Sequence, residues 1–449
     1  MDHLEWRQDN RDLVRYLSQR YRTVLFVRHR DFTQVRETLG QYAEVRGINE
    51  QKHSLRNRFL ANLHSVGKIL PKSRKNYYLM EHFKLVAIGK KGILAGRLRL
   101  RLHRLLPDRF TYDTYLDALE LKRKTKIDDI DTFLFTTDIL NDAMLARVLE
   151  SGKPVTVYVT SWDHPCKHTT FSSRVKYLTW SDRIGADVEE LQHIPADNIE
   201  TAGAGALTYL HRYLQTRTPD RQPPARPYLF FGCSIGIREL VGKEIQIIKE
   251  LALRLQREMP GVDLLVRPYP SLERENAYAE LDSFDCIKMD STHRLRGMHT
   301  STEGLFEKYA TIDGAMAFLH LGTTLGLEAS YLNPPSIILD YGYEQTDKIL
   351  SLRSFIHQYQ LEKYMLTEWN NVAHSLDQLM RMLHDIQKSK FNNRDNYVIE
   401  RFPLVSFETW AGKLESHLGL IPGNDRHTGN PATFLPEDKR STVQPSGNS

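Results

Sequence analysis

The chain predicts an α/β fold made of two doubly wound parallel sheets that face each other across a cleft. Short apolar runs alternate with helix-length stretches, as parallel sheets covered on both faces require. The alternation restarts after the Pro- and Arg-rich stretch YLQTRTPDRQPPARP, and 449 residues suit two cores better than one.

Residues 3–19 (HLEWRQDNRDLVRYLSQ) read as a surface helix and VLFV at 24–27 as a short buried strand. Further strands are expected at 85–88 (LVAI), 133–136 (FLFT), 155–159 (VTVYV) and 175–179 (VKYLT), with a helix over 138–149. The stretch 214–227 reads as the linker. Beyond it come strands at 228–232 (YLFFG), 263–267 (DLLVR), 315–321 (AMAFLHL) and 336–340 (SIILD), with long helices at 240–257 and 372–387. The expected division is therefore 1–213, carrying a basic insertion at 51–110, then the linker, then 228–421. Residues 422–449 lack periodicity and read as a disordered tail.

Apolar residues make up 41% and charged residues 26%, which excludes wholesale disorder. No apolar run approaches the roughly 18 residues of a membrane span, and the acidic, polar start carries no secretory leader pattern. Cys166, Cys233 and Cys286 are far apart and form no CxxC pair, so a thiolate metal site is not expected and a reducing cytosol fits. The 18 histidines show no HExxH spacing. The DxD of Asp129 and Asp131 precedes a strand rather than following it, so it reads as a solvated loop. Neither metal nor cofactor is expected.

The most informative stretch is AMAFLHLGTTLGLEASYLNPPSIILDYG (315–342). A buried strand ends in Gly322, Thr323 and Thr324, and a helix is expected from about Thr324 to Leu332. Gly322 permits a tight turn, Thr323 can cap the helix, and the helix start suits phosphate. Thr324 and Glu328 share a helical face, which places Glu328 to accept hydrogen bonds from ribose hydroxyls. A capped helix with a surface Glu is the plainer alternative. In LLVRPYP (264–270) a strand delivers Arg267 to the ligand-binding edge, where it could grip a diphosphate or simply form a salt bridge. In VTVYVTSWDHPCK (155–167) a strand delivers Trp162, Asp163 and His164. Asp163 could serve as general base and Trp162 could stack on a sugar; core packing and turn formation are the alternatives. In FFGCSIG (230–236), Gly232 and Ser234 could let a diphosphate approach the backbone. His29 and Asp31, in VRHRD after the opening strand, are the next candidates for the base.

Together these residues resemble glycosyltransferases of the GT-B architecture. More narrowly, they resemble bacterial surface-polysaccharide enzymes related to CDP-glycerol glycerophosphotransferases and to the non-hydrolysing UDP-GlcNAc 2-epimerases. The resemblance rests on SWDH, YLTWSD (177–182) and HIPADNIETAG (193–203) in the first half, and on RPYP and GTTLGLEAS in the second. It implies a nucleotide-sugar donor held by the second half and an acceptor held by the first, with Trp162 and His164 on the acceptor side. His164 stands where relatives often carry Asn. Tyr269 stands where His is usual; its hydroxyl donates one hydrogen bond but brings no positive charge to a leaving phosphate.

The net charge of +5 is unevenly spread: Gln51–Arg104 holds 14 Lys and Arg against Glu81 alone, so this segment carries +13 and the rest of the chain −8. Within 93–109, leucines 94, 98, 102 and 105 fall on one helical face with Arg97, Arg101 and Arg104 beside them, suited to an anionic membrane surface. The RLRLRL core also fits a strand, and a solvated charged face is the alternative. No aromatic interleaving or reader motif supports nucleic-acid binding. The expected protein is a cytoplasmic, metal-independent glycosyltransferase, peripheral at the inner face of the plasma membrane. It would move a sugar from a nucleotide donor to a polysaccharide or lipid-linked acceptor. The alternatives are glycerophosphate transfer, or a non-catalytic binding or assembly subunit on the same scaffold.

Overall fold

Strands whose side chains are buried on both faces pair in parallel, because helices must cover each side. This rule organises the second half of the computed structural model. The model describes residues 7–48, 54–67, 112–121, 125–138, 140–167, 171–217, 225–235, 238–269, 277–290, 301–342, 352–357, 359–368, 370–394 and 396–419. The expected strand 85–88, the basic face of Arg97, Arg101 and Arg104, the middle of the linker and the tail 422–449 lie outside these residues.

In chain order the strands are β1 (Val24–Val27), β2 (Glu44–Gly47), β3 (Phe133–Thr136), β4 (Val155–Tyr158), β5 (Lys176–Thr179) and β6 (Ile199–Thr201) in the first half. The second half contributes β7 (Tyr228–Gly232), β8 (Asp263–Arg267), β9 (Ile287–Met289), β10 (Phe318–His320), β11 (Ser336–Leu339) and β12 (Asn371–Ala373). Every ladder is parallel. The second half forms one six-stranded sheet in the order β12-β11-β10-β7-β8-β9. Renumbered within that half this is 3-2-1-4-5-6 read from the far edge, the doubly wound order with its switch point between β7 and β10. Leu229 and Phe231 of β7 face one apolar cluster, with Leu251 and Leu383, and Phe230 faces the other.

The first half matches the expected α/β class but divides its strands. β1 and β2 form a two-stranded sheet, and β3 to β6 a four-stranded one. Four strands, β2, β6, β9 and β12, were not expected from the sequence; each lies at the end of its sheet and is short and partly polar. The helix expected over 372–387 begins only at Leu376, because Asn371–Ala373 pairs with β11 instead. Asp129 closes the flank of the small sheet, pairing with Arg22 at 2.9 Å and Arg46 at 2.7 Å.

The two halves pack against each other. Asp187, fully buried on helix Asp182–Gln192, accepts hydrogen bonds from Tyr359 at 2.9 Å and Tyr364 at 2.5 Å and pairs with Lys363. Helix Phe407–His417 returns to the first half: the Trp410 ring meets Tyr158 at 5.4 Å, and a Cβ on Gly205 would lie 2.5 Å from that indole. Glu415 on the same helix accepts hydrogen bonds from Tyr16 at 2.9 Å, Arg20 at 2.6 Å and Tyr21 at 2.7 Å.

Candidate functional site

In a doubly wound sheet, ligands bind beyond the carboxyl ends of the strands where the order reverses. Here that position is framed by Gly232–Ser234 after β7, Arg267 at the end of β8 and Gly322–Thr324 after β10. Gly322 adopts φ +100, and a Cβ there would lie 2.7 Å from Leu361. The positive φ favours glycine at this turn, and any Cβ would also have to displace the Leu361 side chain. His320 braces the turn from beneath: its Nδ1 accepts from the Gly322 N–H at 3.1 Å, so Nε2 carries the proton and donates to Ser336 Oγ at 3.1 Å. A Cβ at Gly326 would collide with the His320 ring, so the helix start rests directly on the imidazole. Burial pushes the His320 pKa down to about 3.

Thr323 caps the helix as expected, its Oγ1 accepting from the Leu325 N–H at 3.3 Å. The helix itself is Thr324–Ala329, shorter than the expected run to Leu332, since turn-type bonds take over at Tyr331 and Leu332. Six residues supply little dipole, so electrostatics here depends on side chains.

Those side chains form a cluster. Arg267 pairs with Asp290 at 3.1 Å, and Lys308, on helix Thr302–Asp313, pairs with Glu328. All four are largely buried, with side-chain exposures of 12% for Arg267, 3% for Asp290, 9% for Lys308 and 11% for Glu328. Burial pulls both cations' pKa values down; Asp290 and Glu328 oppose this at Arg267, and Glu328 opposes it at Lys308. The Glu328 field reaches Arg267, and the Arg267 field reaches Lys308. Arg267 and Glu328 therefore lie within electrostatic reach of each other. Among the described residues Glu328 bonds only to Lys308, through Oε2, which leaves Oε1 to accept from a ligand.

The first half reaches this site through Trp162. Its indole N–H donates to Thr324 Oγ1 at 3.1 Å, and its ring stands edge-on to Tyr364 at 6.0 Å. Asp163 follows, half-buried, with Ser161 Oγ donating to its Oδ1 at 2.7 Å. His164 turns away into the first half, bonded to Thr137 Oγ1 at 2.6 Å and facing Asp138 at 3.2 Å, which Arg7 holds at 3.1 Å. After β7, the Ser234 N–H donates to buried Glu244 at 2.8 Å, and Tyr278 donates to the same carboxylate at 2.6 Å, so that amide is already engaged. A Cβ on Gly232 would lie 2.5 Å from the Phe318 ring. Tyr269 is half-buried two residues beyond Arg267.

His29 and Asp31 stand after β1 on the small sheet, apart from the ladder that carries Trp162. Asp31 pairs with Arg30 at 3.3 Å, and the His29 ring covers Gly47. Among the described residues no group of three His, Cys, Asp or Glu could hold a metal ion, and no helix is long and apolar enough to cross a membrane.

Sequence reasoning missed Lys308, Asp290 and His320. For Lys308 a signal existed: it lies three residues after Leu305 and four before Ile312, a cation on the face those apolar residues define.

No family model matches the chain, and no curated protein matches it in sequence. Solved structures with a similar fold include the S. aureus MnaA–UDP co-structure, at 11% identity and TM-score 0.45 over 91% of this chain and 99% of that one. UDP-GlcNAc 2-epimerase from Neisseria meningitidis bound to UDP-GlcNAc is similar at 11% identity and TM-score 0.41, over 89% and 99%. A glycosyltransferase from Rickettsia africae is similar at 10% identity and TM-score 0.43, over 91% and 94%.

Proposed function

We propose that the chain is a glycosyltransferase. In this reading it holds the nucleoside diphosphate of an activated sugar at the carboxyl edge of the six-stranded sheet. It passes the sugar to a hydroxyl of a polysaccharide or lipid-linked acceptor carried by the first half. The observation that carries this reading is the pair of buried cations, Arg267 and Lys308, electrostatically linked to Glu328, on a sheet whose switch-point turn at Thr324 takes a hydrogen bond from Trp162. Buried cations cost desolvation, and a site that gathers two of them at a strand-end crevice suits an anionic ligand.

The transfer is displacement at an anomeric carbon. Asp163 takes the proton of the attacking hydroxyl, and the bond to the diphosphate oxygen breaks as the new glycosidic bond forms. Arg267 stabilises the departing diphosphate, with Lys308 behind it and Thr323 and Thr324 supplying polar contacts. Glu328 Oε1 accepts from the ribose hydroxyls. Trp162, bridging to Thr324, places acceptor and donor in one geometry and keeps water out.

Titration calorimetry with UDP, CDP and GDP tests the donor site. At least one should bind, and Arg267→Met should weaken it tenfold or more while thermal unfolding stays cooperative. Unchanged affinity in both Arg267→Met and Glu328→Gln removes the assignment. Tyr269, neutral beside the leaving phosphate, favours a second reading in which the chain binds a donor without turning it over. Mass spectrometry of incubations with several nucleotide sugars separates the two, since only a transferase releases free nucleotide and a glycosylated product.

A further inference from the structure

A cavity of about 400 Å³ lies in the first half between β1 and β3. That volume falls in the range of roughly 300–1,000 Å³ used by small-molecule sites. Arg22 meets Asp129 at 2.9 Å, and Phe26 meets Phe133 at 5.9 Å between ring centroids. The two contacts share one sequence offset, so β1 and β3 run side by side in the same direction, yet no ladder joins them. Helix Gln8–Ser18 covers the gap with Leu13, Val14 and Leu17, and Met144 adds to the wall.

The cavity's ends differ. Arg7 pairs with Asp138 at 3.1 Å, which fixes the start of the covering helix at the carboxyl end of β3. Asn10 lies one turn further on, lines the cavity and is 4% exposed, and neither atom of its amide has a hydrogen-bond partner. At the same end Thr136 Oγ1 is buried without a partner. Arg28, the first residue after β1, also lines the cavity, and its guanidinium forms no ion pair or hydrogen bond among the described residues. At the opposite end Asp129 and Asp131 line the wall, with Arg22 paired to Asp129.

Buried polar groups are costly when unpaired, and this apolar slot ends in the unpaired amide of Asn10 and hydroxyl of Thr136, beside the half-buried cation Arg28. We infer that this cavity binds a single-chain amphipathic anion, a linear hydrocarbon ending in a carboxylate or monophosphate. The head meets Arg28, Asn10 and Thr136, and the chain runs between Leu17 and Phe133 toward the other end, where Arg22 is already paired with Asp129. The inference stands apart from the nucleotide reading, because none of these residues belongs to the switch-point site.

The test is calorimetry on the full chain with dodecyl phosphate, dodecanoate and dodecanol, each below its aggregation threshold. At least one anion should bind saturably. Arg28→Gln should weaken it tenfold or more, and Leu17→Trp, which fills the tail space, should do the same, both with thermal midpoints near that of the parent. A tenfold preference for one head identifies phosphate or carboxylate as the natural group. Absence of saturable binding, equal affinity for dodecanol, or an Arg28→Gln affinity within twofold of the parent overturns the site.

Discussion

Among the described residues six parallel strands of the second half form one uninterrupted ladder, and six of the first divide into two and four. The strands at the middle of the large sheet are buried along nearly their whole length, and two large apolar clusters cover its two faces. Among the described residues the small sheet has no such cover. β2 carries Glu44 and Arg46, β1 is half-buried over three of its four residues, and the cluster beneath them is Val27, Val35 and Leu39 with a few half-buried neighbours. Ion pairs through Asp129 hold that flank instead. A continuous parallel ladder thus follows burial on both faces, and where one face opens on a cavity the adjoining edges stay unpaired.

Paired core truncations give the sharpest contrast. Phe230, fully buried and stacked on Phe318 at 5.4 Å, should cost about 4 kcal/mol as Phe230→Ala in urea unfolding. Phe26 already borders open space, so Phe26→Ala should cost about 1 kcal/mol. Equal losses would break the contrast between the two sheets.

The seam between the halves comes next. Asp187→Ala strips Lys363, Tyr359 and Tyr364 of their shared acceptor and should cost about 3 kcal/mol. A loss below 1 kcal/mol, read as a shift in the urea midpoint, would show that the halves are held by apolar packing alone.

The smallest effect per step belongs to His320. Unfolded, it takes a proton near pH 6.5; folded, only near 3. Protons therefore favour the unfolded chain throughout that window, and stability should fall as pH drops, by about 1.4 kcal/mol per unit from this group. His320→Gln should show a shallower pH slope than the parent, and identical slopes would count against a buried neutral imidazole under the Gly322 turn.

Much of this arrangement was legible beforehand. Continuous apolar runs such as VLFV, FLFT and YLFFG marked β1, β3 and β7 to the residue, because buried parallel strands need them. End strands such as EVRG and IET carry polar residues toward solvent and leave no such trace, which is why β2 and β6 escaped notice. RPYP and GTTLGLEAS pointed to Arg267, Thr324 and Glu328; Arg267 and Thr324 stand at carboxyl ends of strands in the same sheet, and the Glu328 charge reaches Arg267. Lys308 left a trace, a cation on the apolar face of its helix, but its partner and that of Asp290 were hidden because ion pairing across 20 or more residues of chain has no local signature. The β1–β3 cavity was hidden too, since it depends on a pairing that does not form.

The return of helix Phe407–His417 to the opening helix has a consequence for how the molecule is made. Translation delivers residues at roughly 5–20 per second, and domains ordinarily fold as they emerge. Here the slot for the Trp410 indole, beside Tyr158 and Gly205, stays empty until the ribosome has passed the whole six-stranded sheet and reached residue 410. The portion synthesised first must therefore wait, with an apolar groove uncovered, for a helix that follows every strand of the second sheet.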